Sequence, residues 1–205
     1  MSLLSRAHDV VYRRRIEVLA AHFAALLPRG AHVLDAGCGD GALSARLNAL
    51  RSDVRIEGVD VLVRPRTAIP VQAFDGAHLP YDDASVDAVL MVDVLHHTDD
   101  PLVLLRESAR VARSVVLIKD HLRDGFAAQL TLRAMDWVGN ARHGVRLPYN
   151  YWSRGQWNRA FDDLGLVVQQ WRSSLELYPV PAHWVFDRSL HFIASLGVAE
   201  IPVSC

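Results

Sequence analysis

A short stretch rich in glycine and aspartate carries the clearest chemical signal in this 205-residue sequence. It reads Asp35-Ala-Gly37-Cys-Gly39-Asp40-Gly41 and stands between an apolar run and a predicted helix. Glycines at such a turn let the backbone bend sharply and let a ligand approach without interference from Cβ atoms. The same glycine spacing also fits a dinucleotide-binding loop, so the spacing alone leaves two classes of ligand open.

The two aspartates of this stretch distinguish between those ligands. A carboxylate at Asp35 or Asp40 would repel the diphosphate of a dinucleotide. S-adenosylmethionine instead carries a positively charged ammonium and sulfonium, and its carboxylate can face the N-terminus of the following helix. The stretch therefore favours S-adenosylmethionine, with S-adenosylhomocysteine as its product, over a nicotinamide cofactor.

Two more aspartates stand where predicted strands end. Asp60 can accept hydrogen bonds from both hydroxyls of a ribose, as carboxylates do at this place in nucleotide-binding sheets. Asp75 can accept from the amino group of adenine, and Gly76 leaves room for the ring. Because the carboxyl ends of parallel strands meet at one edge, we expect these groups to form one binding site.

Apolar runs that alternate with helical patterns would position these side chains. Five runs predict strands, at 31–34, 54–59, 71–74, 86–92 and 114–118. Helices are predicted at 9–27, 42–50, 102–111, 126–138 and 156–164, the last with Ser153 as its N-cap. A closing strand pair is predicted at 167–173 and 189–196. The short connections indicate an α/β fold, a mostly parallel seven-stranded sheet with helices on both faces.

Composition narrows the range of partners. The net charge is -1, from 22 basic and 23 acidic residues, so bulk electrostatics do not predict a nucleic-acid partner. No apolar run reaches the roughly 18 residues of a membrane-spanning helix, and no signal-peptide pattern opens the chain. The two cysteines, Cys38 and Cys205, form neither a disulfide framework nor a metal-site spacing. We expect a single cytoplasmic domain over 1–205.

Several ordered segments resemble the class I S-adenosylmethionine-dependent methyltransferases, in particular the group containing enzymes of ubiquinone and menaquinone pathways. Residues 33–41 are similar to the first motif of that family, and residues 79–87 to its segment before the fourth strand. Residues 92–101 are similar to the loop after that strand, and residues 105–107 to the next helix. The resemblance covers about 33–118 and implies a Rossmann-like fold and methyl transfer.

The resemblance also implies roles for individual residues. It assigns Asp35 and the three glycines to the methionine part of the ligand, Asp60 to the ribose, and Asp75 with Gly76 to the adenine. It places Val92 and Asp93 near the sulfonium.

Two segments depart from the family pattern. Only 14 residues separate Asp60 from Asp75, and they include Pro65 and Pro70, so the usual helix is expected to be reduced to a loop that leaves the adenine side open. The variable segment 122–155 follows the fifth strand and is expected to form the acceptor side. We therefore divide the chain into an N-terminal helix (1–28), a cofactor-binding half (31–121), this acceptor segment and a closing part (156–205).

Candidate catalytic groups follow the fourth and fifth strands. His121 is the first candidate for a general base because it follows a strand on the binding edge and can titrate near neutral pH. His96 and His97 are alternatives, and each of these histidines could instead cap a helix or satisfy a loop. Asp120 and His121 could also be two ligands of a metal, but further ligands are not evident, so no metal is predicted.

Aromatic and basic residues offer weaker signals. Five side chains in the acceptor segment could cover an apolar acceptor, form a packed lid or make a homodimer contact; they are Met135, Trp137, Tyr149, Tyr151 and Trp152. On the first helix, one of Tyr12, Arg13, Arg14 and Arg15 could reach the ligand carboxylate, or the three arginines could be a solvated face.

The resulting hypothesis is an S-adenosylmethionine-dependent methyltransferase that transfers a methyl group in line to a small-molecule acceptor. Three alternatives stay open. They are a non-catalytic regulatory or scaffold subunit that binds the same ligand, a nicotinamide-dependent reductase, and a methyltransferase acting on RNA or protein.

Overall fold

One seven-stranded sheet organises the chain in the computed structural model, which describes residues 3–140, 148–180, 182–187 and 189–198. The strands are β1 (His32–Ala36), β2 (Arg55–Asp60), β3 (Val71–Ala73), β4 (Val86–Val92), β5 (Ala112–His121), β6 (Leu166–Arg172) and β7 (His191–Val198). The α-helices are α1 (Leu3–Ala24), α2 (Ala42–Leu50), α3 (Pro101–Val111), α4 (Ala128–Asn140), α5 (Arg154–Asp163) and α6 (His183–Phe186). A 3-10 turn covers Leu95–His97.

The strand order is β3-β2-β1-β4-β5-β7-β6. Strands β1 to β5 pair in parallel, and β7 is antiparallel to both β5 and β6. Strand β6 consequently points in the same direction as the parallel strands. Its carboxyl end therefore lies at the same edge of the sheet as the glycine stretch and the end of β4. The predicted fold class is confirmed.

Apolar residues bury both faces of the sheet. On one face α1 and α2 supply Leu19, Phe23 and Leu47. On the other, α3 and α5 supply residues such as Leu104 and Trp157. The termini of the helices follow sequence signals, since Asp100 caps α3 ahead of a proline and Ser153 caps α5 in a full capping box with Gln156.

Two elements near the site, the first helix and the fifth strand, have different bounds from those predicted. The first helix extends from Leu3 to Ala24 rather than over 9–27. The fifth strand continues to His121, because β7 pairs with it as far as His121 opposite His191. Lys119, Asp120 and His121 are therefore strand residues.

The connection between β2 and β3 contains no helix, as predicted. Within the acceptor segment α4 is present, whereas residues 141–147 lie outside the described part of the chain, as does Cys205. No described helix combines the length and apolarity that a membrane crossing requires. The division of the chain into four consecutive parts stays a prediction.

Candidate ligand-binding and catalytic site

The glycine stretch is held tightly at both ends and open in the middle. The backbone N–H groups of Gly37 and Cys38 donate to the Val59 carbonyl at 2.8 and 3.2 Å. A Cβ at Gly37 would lie 2.5 Å from a methyl group of Val94, whereas one at Gly39 would meet no atom within 4 Å. Both glycines have positive φ. Close packing therefore requires glycine at Gly37, and Gly39 presents bare backbone to open space.

A cavity of about 690 Å³ opens beside Gly39. Its wall includes Tyr12 and Arg15 from α1, the glycine stretch, and Val92 and Asp93 from the end of β4. The remaining side is the connection after β2, which contributes residues 64–66. We expected that connection to leave the site open. It instead turns back against the glycine stretch, where the N–H of Ala68 donates to the Asp40 carbonyl at 2.8 Å, and so closes part of the cavity.

The charges on the cavity wall balance. Three aspartates, Asp35, Asp40 and Asp93, share the wall with three arginines, Arg15, Arg64 and Arg66. The sequence identifies the acids of this wall and offers Arg15 as one of several candidates, whereas it does not identify Arg64 and Arg66. A balanced wall suits a zwitterion, whose ammonium and carboxylate both require a partner.

Asp35 is deeply buried and its carboxylate accepts a hydrogen bond from the Ser44 hydroxyl at 2.6 Å. Burial raises the pKa of Asp35 to about 7, against the lowering effect of that hydrogen bond. A cation placed beside Asp35 would favour its ionised form, so ligand charge and Asp35 ionisation are coupled.

Asp60 and Asp75 bond to neighbouring backbone and do not line this cavity. One oxygen of Asp60 accepts from the Gly39 N–H at 2.8 Å and the other from the Leu62 N–H at 2.8 Å. Asp75 is exposed and accepts from the N–H groups of Ala77 and His78, and these bonds hold the pKa of Asp75 down at about 2. Both carboxylates thus shape the rim on the β2–β3 side.

Gly76 lies at that same rim. A Cβ there would come within 3.1 Å of Val61, the first of three exposed apolar residues, Val61, Leu62 and Val63. An apolar surface therefore stands next to the position where adenine is expected.

Asp93 joins three elements of the site. One of its oxygens accepts from Arg15 Nη2 at 2.5 Å and the other accepts from Lys119 Nζ. Asp93 is left-handed, with φ 57°, and the Lys119 ammonium is fully buried. Burial opposes the charge of Asp93, but the two cations outweigh it and hold the pKa of Asp93 below its usual range. Lys119 was not among the site residues predicted from the sequence. A lysine that directly follows an apolar strand was the signal that could have identified it.

His96 and Asp120 form a buried pair beside Asp93. The distance from His96 Nδ1 to Asp120 Oδ1 is 2.7 Å, and both side chains are almost fully buried. His96 Nε2 has no hydrogen-bond partner among the described residues, and the nearest carboxylate oxygen, on Asp136, is 3.4 Å away. Burial disfavours protonation of His96, but Asp120 outweighs it, so the pKa of His96 is raised.

His121 lies behind this pair. Its Nδ1 is 3.3 Å from His96 Nδ1 and 3.6 Å from Asp93 Oδ1, and neither of these two histidines lines the cavity beside Gly39. Burial and the nearby Lys119 hold the pKa of His121 well below its ordinary value, so the ring is neutral. His97 packs against His96 with ring centroids 4.1 Å apart.

Asp120 also bears on the metal hypothesis. It accepts from His96, from the His121 N–H at 2.7 Å and from the Leu95 N–H at 3.2 Å. These three protein donors occupy both of its oxygens. This geometry assigns Asp120 to orienting His96.

The five predicted aromatic and Met side chains separate into three places. Tyr151, Tyr149 and Met135 belong to a small cluster under α4, where the Tyr151 hydroxyl donates to Asp136 and the Tyr151 ring stacks near His96. Trp152 packs on Trp157 in the main core. Trp137 is 64% exposed.

Comparison with known proteins agrees with this architecture. Residues 8–170 match the family model for a methyltransferase domain. A 27-O-demethylrifamycin SV methyltransferase from Amycolatopsis mediterranei is 32% identical over 110 residues, which are 46% of this chain. The chain spans only 40% of the length of that curated relative.

Solved structures share the fold at low sequence identity. A Haloferax volcanii methyltransferase in complex with the Trm112 activator has a TM-score of 0.67 at 21% identity, covering 95% of this chain and 94% of that one. The magnesium protoporphyrin IX methyltransferase of Synechocystis, solved with bound S-adenosylhomocysteine, has a TM-score of 0.62 at 18% identity, covering 96% and 88%.

The chain therefore belongs to the methyltransferase-domain family, within the class I S-adenosylmethionine-dependent methyltransferases. This is the family that the glycine stretch and its neighbouring motifs resemble.

Proposed function

We propose that this protein transfers the methyl group of S-adenosylmethionine to a hydroxyl oxygen of a small-molecule acceptor, with His96 as the general base. The observation that carries the proposal is the buried His96–Asp120 pair, 2.7 Å apart, at the sheet edge that also holds the acidic glycine stretch. One ring nitrogen each of His96 and His121 and one carboxylate oxygen of Asp93 lie within 4.8 Å of one another, and Asp93 lines the cavity. The His96–Asp120 pair therefore lies behind the part of the cavity wall that Asp93 forms.

The residues of the cavity fit the cofactor. Gly39 offers bare backbone, Asp35, Asp40 and Asp93 can meet an ammonium and a sulfonium, and Arg15 can meet a carboxylate. Asp60, Asp75 and Gly76 form the adjoining rim, where we assign the ribose and adenine. Once bound, the sulfonium supplies an activated methyl group, so that the protein needs only to align the acceptor and remove its proton.

Asp120 prepares His96 for proton removal. It accepts from Nδ1–H, which fixes the tautomer that leaves the Nε2 lone pair available, and its charge stabilises the imidazolium that forms. His121 lacks such an orienting carboxylate contact at comparable distance, since Asp120 Oδ1 is 3.4 Å from its Nδ1. Its lowered pKa also makes it a weak base. These contacts favour His96 over His121.

An oxygen acceptor is consistent with the relative from Amycolatopsis, whose name gives a 27-O-demethyl compound as its acceptor. We take a hydroxylated natural product as the substrate class.

The test is transfer of labelled methyl from S-adenosylmethionine to a metabolite extract and to 27-O-demethylrifamycin SV. We expect His96→Gln and Asp120→Asn to lower kcat by about 10²- to 10⁴-fold, the usual contribution of a general base. S-adenosylhomocysteine affinity should stay unchanged in both variants.

His121→Gln is the matched comparison, because it removes a neighbouring buried imidazole. It should retain kcat within about tenfold, less than a general base contributes. A large loss of kcat in His121→Gln, together with a normal kcat in His96→Gln, would assign the role of general base to His121. Tight S-adenosylhomocysteine binding without label in any acceptor would favour the non-catalytic alternative.

A further inference from the structure

A second cavity, of about 860 Å³, lies in the connection between β6 and β7. Because β6 runs in the direction of the parallel strands, this connection leaves the sheet at the edge that carries the cofactor cavity. Its volume is within the range of cavities that bind small molecules. Nothing in the chemistry of methyl activation or of the His96–Asp120 pair uses it.

Two neighbouring residues of α1 link the two cavities. Arg15 lines the first and Arg14 lines the second. Arg14 Nη2 donates to the Glu176 carbonyl at 3.0 Å, so α1 and the β6–β7 connection share a wall. Burial raises the pKa of the hydroxyl of Tyr178, on that connection, and Arg15 and Asp93 lie near enough for both charges to influence it. The second cavity therefore adjoins the pair that closes the first.

Buried rings connect the proposed base to this second cavity. The ring centroids of His96 and His121 are 4.5 Å apart, those of His121 and His191 are 4.9 Å apart, and those of His191 and Tyr178 are 5.9 Å apart. Tyr178 lines the second cavity. The buried rings of His121 and His191 lie between His96 and Tyr178, so a ligand that contacts both His96 and Tyr178 must extend past these rings and be large.

The walls of the second cavity combine apolar surface with unused polar atoms. Val180 and Trp184 line it and remain 68% and 65% exposed, a large apolar area to leave in water. His183 Nδ1 and Asp187 Oδ1 also belong to lining residues and are inaccessible to solvent, yet neither has a hydrogen-bond partner among the described residues. Unpaired polar atoms in such a position are costly unless a ligand satisfies them.

Backbone strain is concentrated in the same connection. Glu176 and Ser189 both line the cavity and both have left-handed backbone, with φ of 54° and 58°. Non-glycine residues adopt this conformation only where the surroundings impose it, and such residues cluster at ligand clamps. The surroundings of Glu176 and Ser189 thus impose their backbone conformation.

We infer that this cavity binds the non-reacting part of a large, mainly apolar acceptor that carries hydroxyl groups. Trp184 and Val180 would cover its apolar surface, and a shift of the cavity wall on binding would expose His183 Nδ1 and Asp187 Oδ1 to its hydroxyls. This places acceptor recognition on the β6–β7 connection, whereas the sequence placed it on 122–155. The inference rests on the proposed function for the reacting end of the acceptor.

Two exposed tryptophans make a matched test of the two locations. Trp184 lies on the second cavity and Trp137 lies on α4, and their exposures are 65% and 64%. Calorimetry would measure the binding of a panel of large hydroxylated polyketides, including 27-O-demethylrifamycin SV, to the full chain. We expect Trp184→Ala to weaken binding by about 3- to 10-fold, the effect of losing one aromatic contact, and Trp137→Ala to leave it unchanged.

Asp187→Asn tests the polar contact separately. Asp187 Oδ2 already accepts from the Tyr178 N–H at 3.3 Å, so the asparagine amide can keep that contact through its oxygen while its NH2 group replaces Oδ1. A ligand hydroxyl then loses its bond to a charged acceptor. Weaker polyketide binding in this variant, at unchanged melting temperature, supports the assignment.

The outcomes are distinguishable. Any of three results would overturn the inference. Binding could be weakened only in Trp137→Ala, it could be unchanged in both tryptophan variants, or the unmodified chain could bind no member of the panel. Each titration is run without cofactor and with saturating S-adenosylhomocysteine. The protein could bind a polyketide and yet fail to bind S-adenosylhomocysteine. That result would contradict the proposed function but would still support the second cavity as a binding site.

Discussion

Arg15 of the first helix donates to Asp93 at the end of β4 across 2.5 Å. The other oxygen of Asp93 accepts from the buried Lys119 of β5. This carboxylate therefore lies between two cations from elements that are far apart in the chain, and it holds α1 over the cavity. A ligand that carries a carboxylate and positively charged groups offers the same pair of charges, so it can meet Arg15 with its carboxylate and Asp93 with its sulfonium.

Arg15→Ala tests this exchange of partners. We expect the affinity for S-adenosylhomocysteine to fall by about 10- to 100-fold, because a charge-assisted hydrogen bond contributes about 1.5–3 kcal/mol. Calorimetry gives the affinity directly. Arg13→Ala is the control, since Arg13 is an exposed arginine two positions earlier on the same helix and does not line the cavity. Equal losses in both variants would mean that only the overall charge of the helix matters.

Gly39→Ala tests whether the ligand lies against Gly39. Comparison with a second glycine variant separates the effect on cofactor affinity from the effect of backbone strain on stability. The new methyl group would enter the cavity, so we expect weaker cofactor binding together with a loss of about 1 kcal/mol from the positive φ. Gly30 has a similar φ of 66° and equally open space but lies away from the cavity. Gly30→Ala should therefore lose the same stability and no affinity, as thermal melts and calorimetry can show. Unchanged affinity in Gly39→Ala would place the ligand elsewhere.

The pH profile of turnover should depend on Asp120. His96 acts as a base only when neutral, and Asp120 raises the pKa of His96, so kcat should rise as the pH increases through that raised value. Asp120→Asn removes the charge that stabilises the imidazolium. In this variant kcat should then begin to rise at a lower pH, and the maximal kcat should be smaller. A profile that stays in place across pH 5–9 would exclude His96 as the titrating group.

Asp35 should make the protein less stable as the pH rises. The pKa of Asp35 in the folded protein is about 7, whereas an unfolded aspartate has a pKa of about 3.9. The folded state therefore binds more protons between these values, and the free energy of unfolding falls with pH in that window. Asp35→Asn should remove this fall, with a relative gain of up to about 4 kcal/mol at pH 8 compared with pH 4.

Urea unfolding of both proteins at the two pH values gives the comparison. Asp53→Asn is a suitable control, because Asp53 is a surface carboxylate whose pKa is lowered by its hydrogen bond with Arg51, so that it should show the opposite trend. A parallel pH dependence in the wild type and Asp35→Asn would show that Asp35 stays ionised.

Local patterns predicted most of the sheet. The apolar runs of β1 and β4 are long enough to be recognised alone, and Asp100 and Ser153 mark helix starts by their own hydrogen bonds. The end of β5 was placed too early, because Lys119 and Asp120 are polar, and it is pairing with β4 at Lys119 and with β7 as far as His121 that keeps them in the strand.

The site was predicted less completely for a similar reason. Asp35, Gly39 and Asp93 lie on the cavity as expected, since strand ends meet at one edge. The partners of Asp93 come from positions 78 and 26 residues away, and no spacing rule connects such residues. The choice of His96 over His121 rests on a carboxylate 24 residues from His96, which only the folded chain reveals.

The shortest strand has a kinetic consequence. Strand β3 comprises only Val71–Ala73 and pairs, within the described residues, with β2 alone. So few ladder bonds at an edge can break and reform without disturbing the rest of the sheet. Amide hydrogens of residues 71–76 should exchange with solvent far sooner than those of β4, and ligand that rests on this rim should slow them selectively. Residues 71–76 would then be a mobile part of the rim that becomes more ordered when ligand binds, next to a sheet that stays rigid.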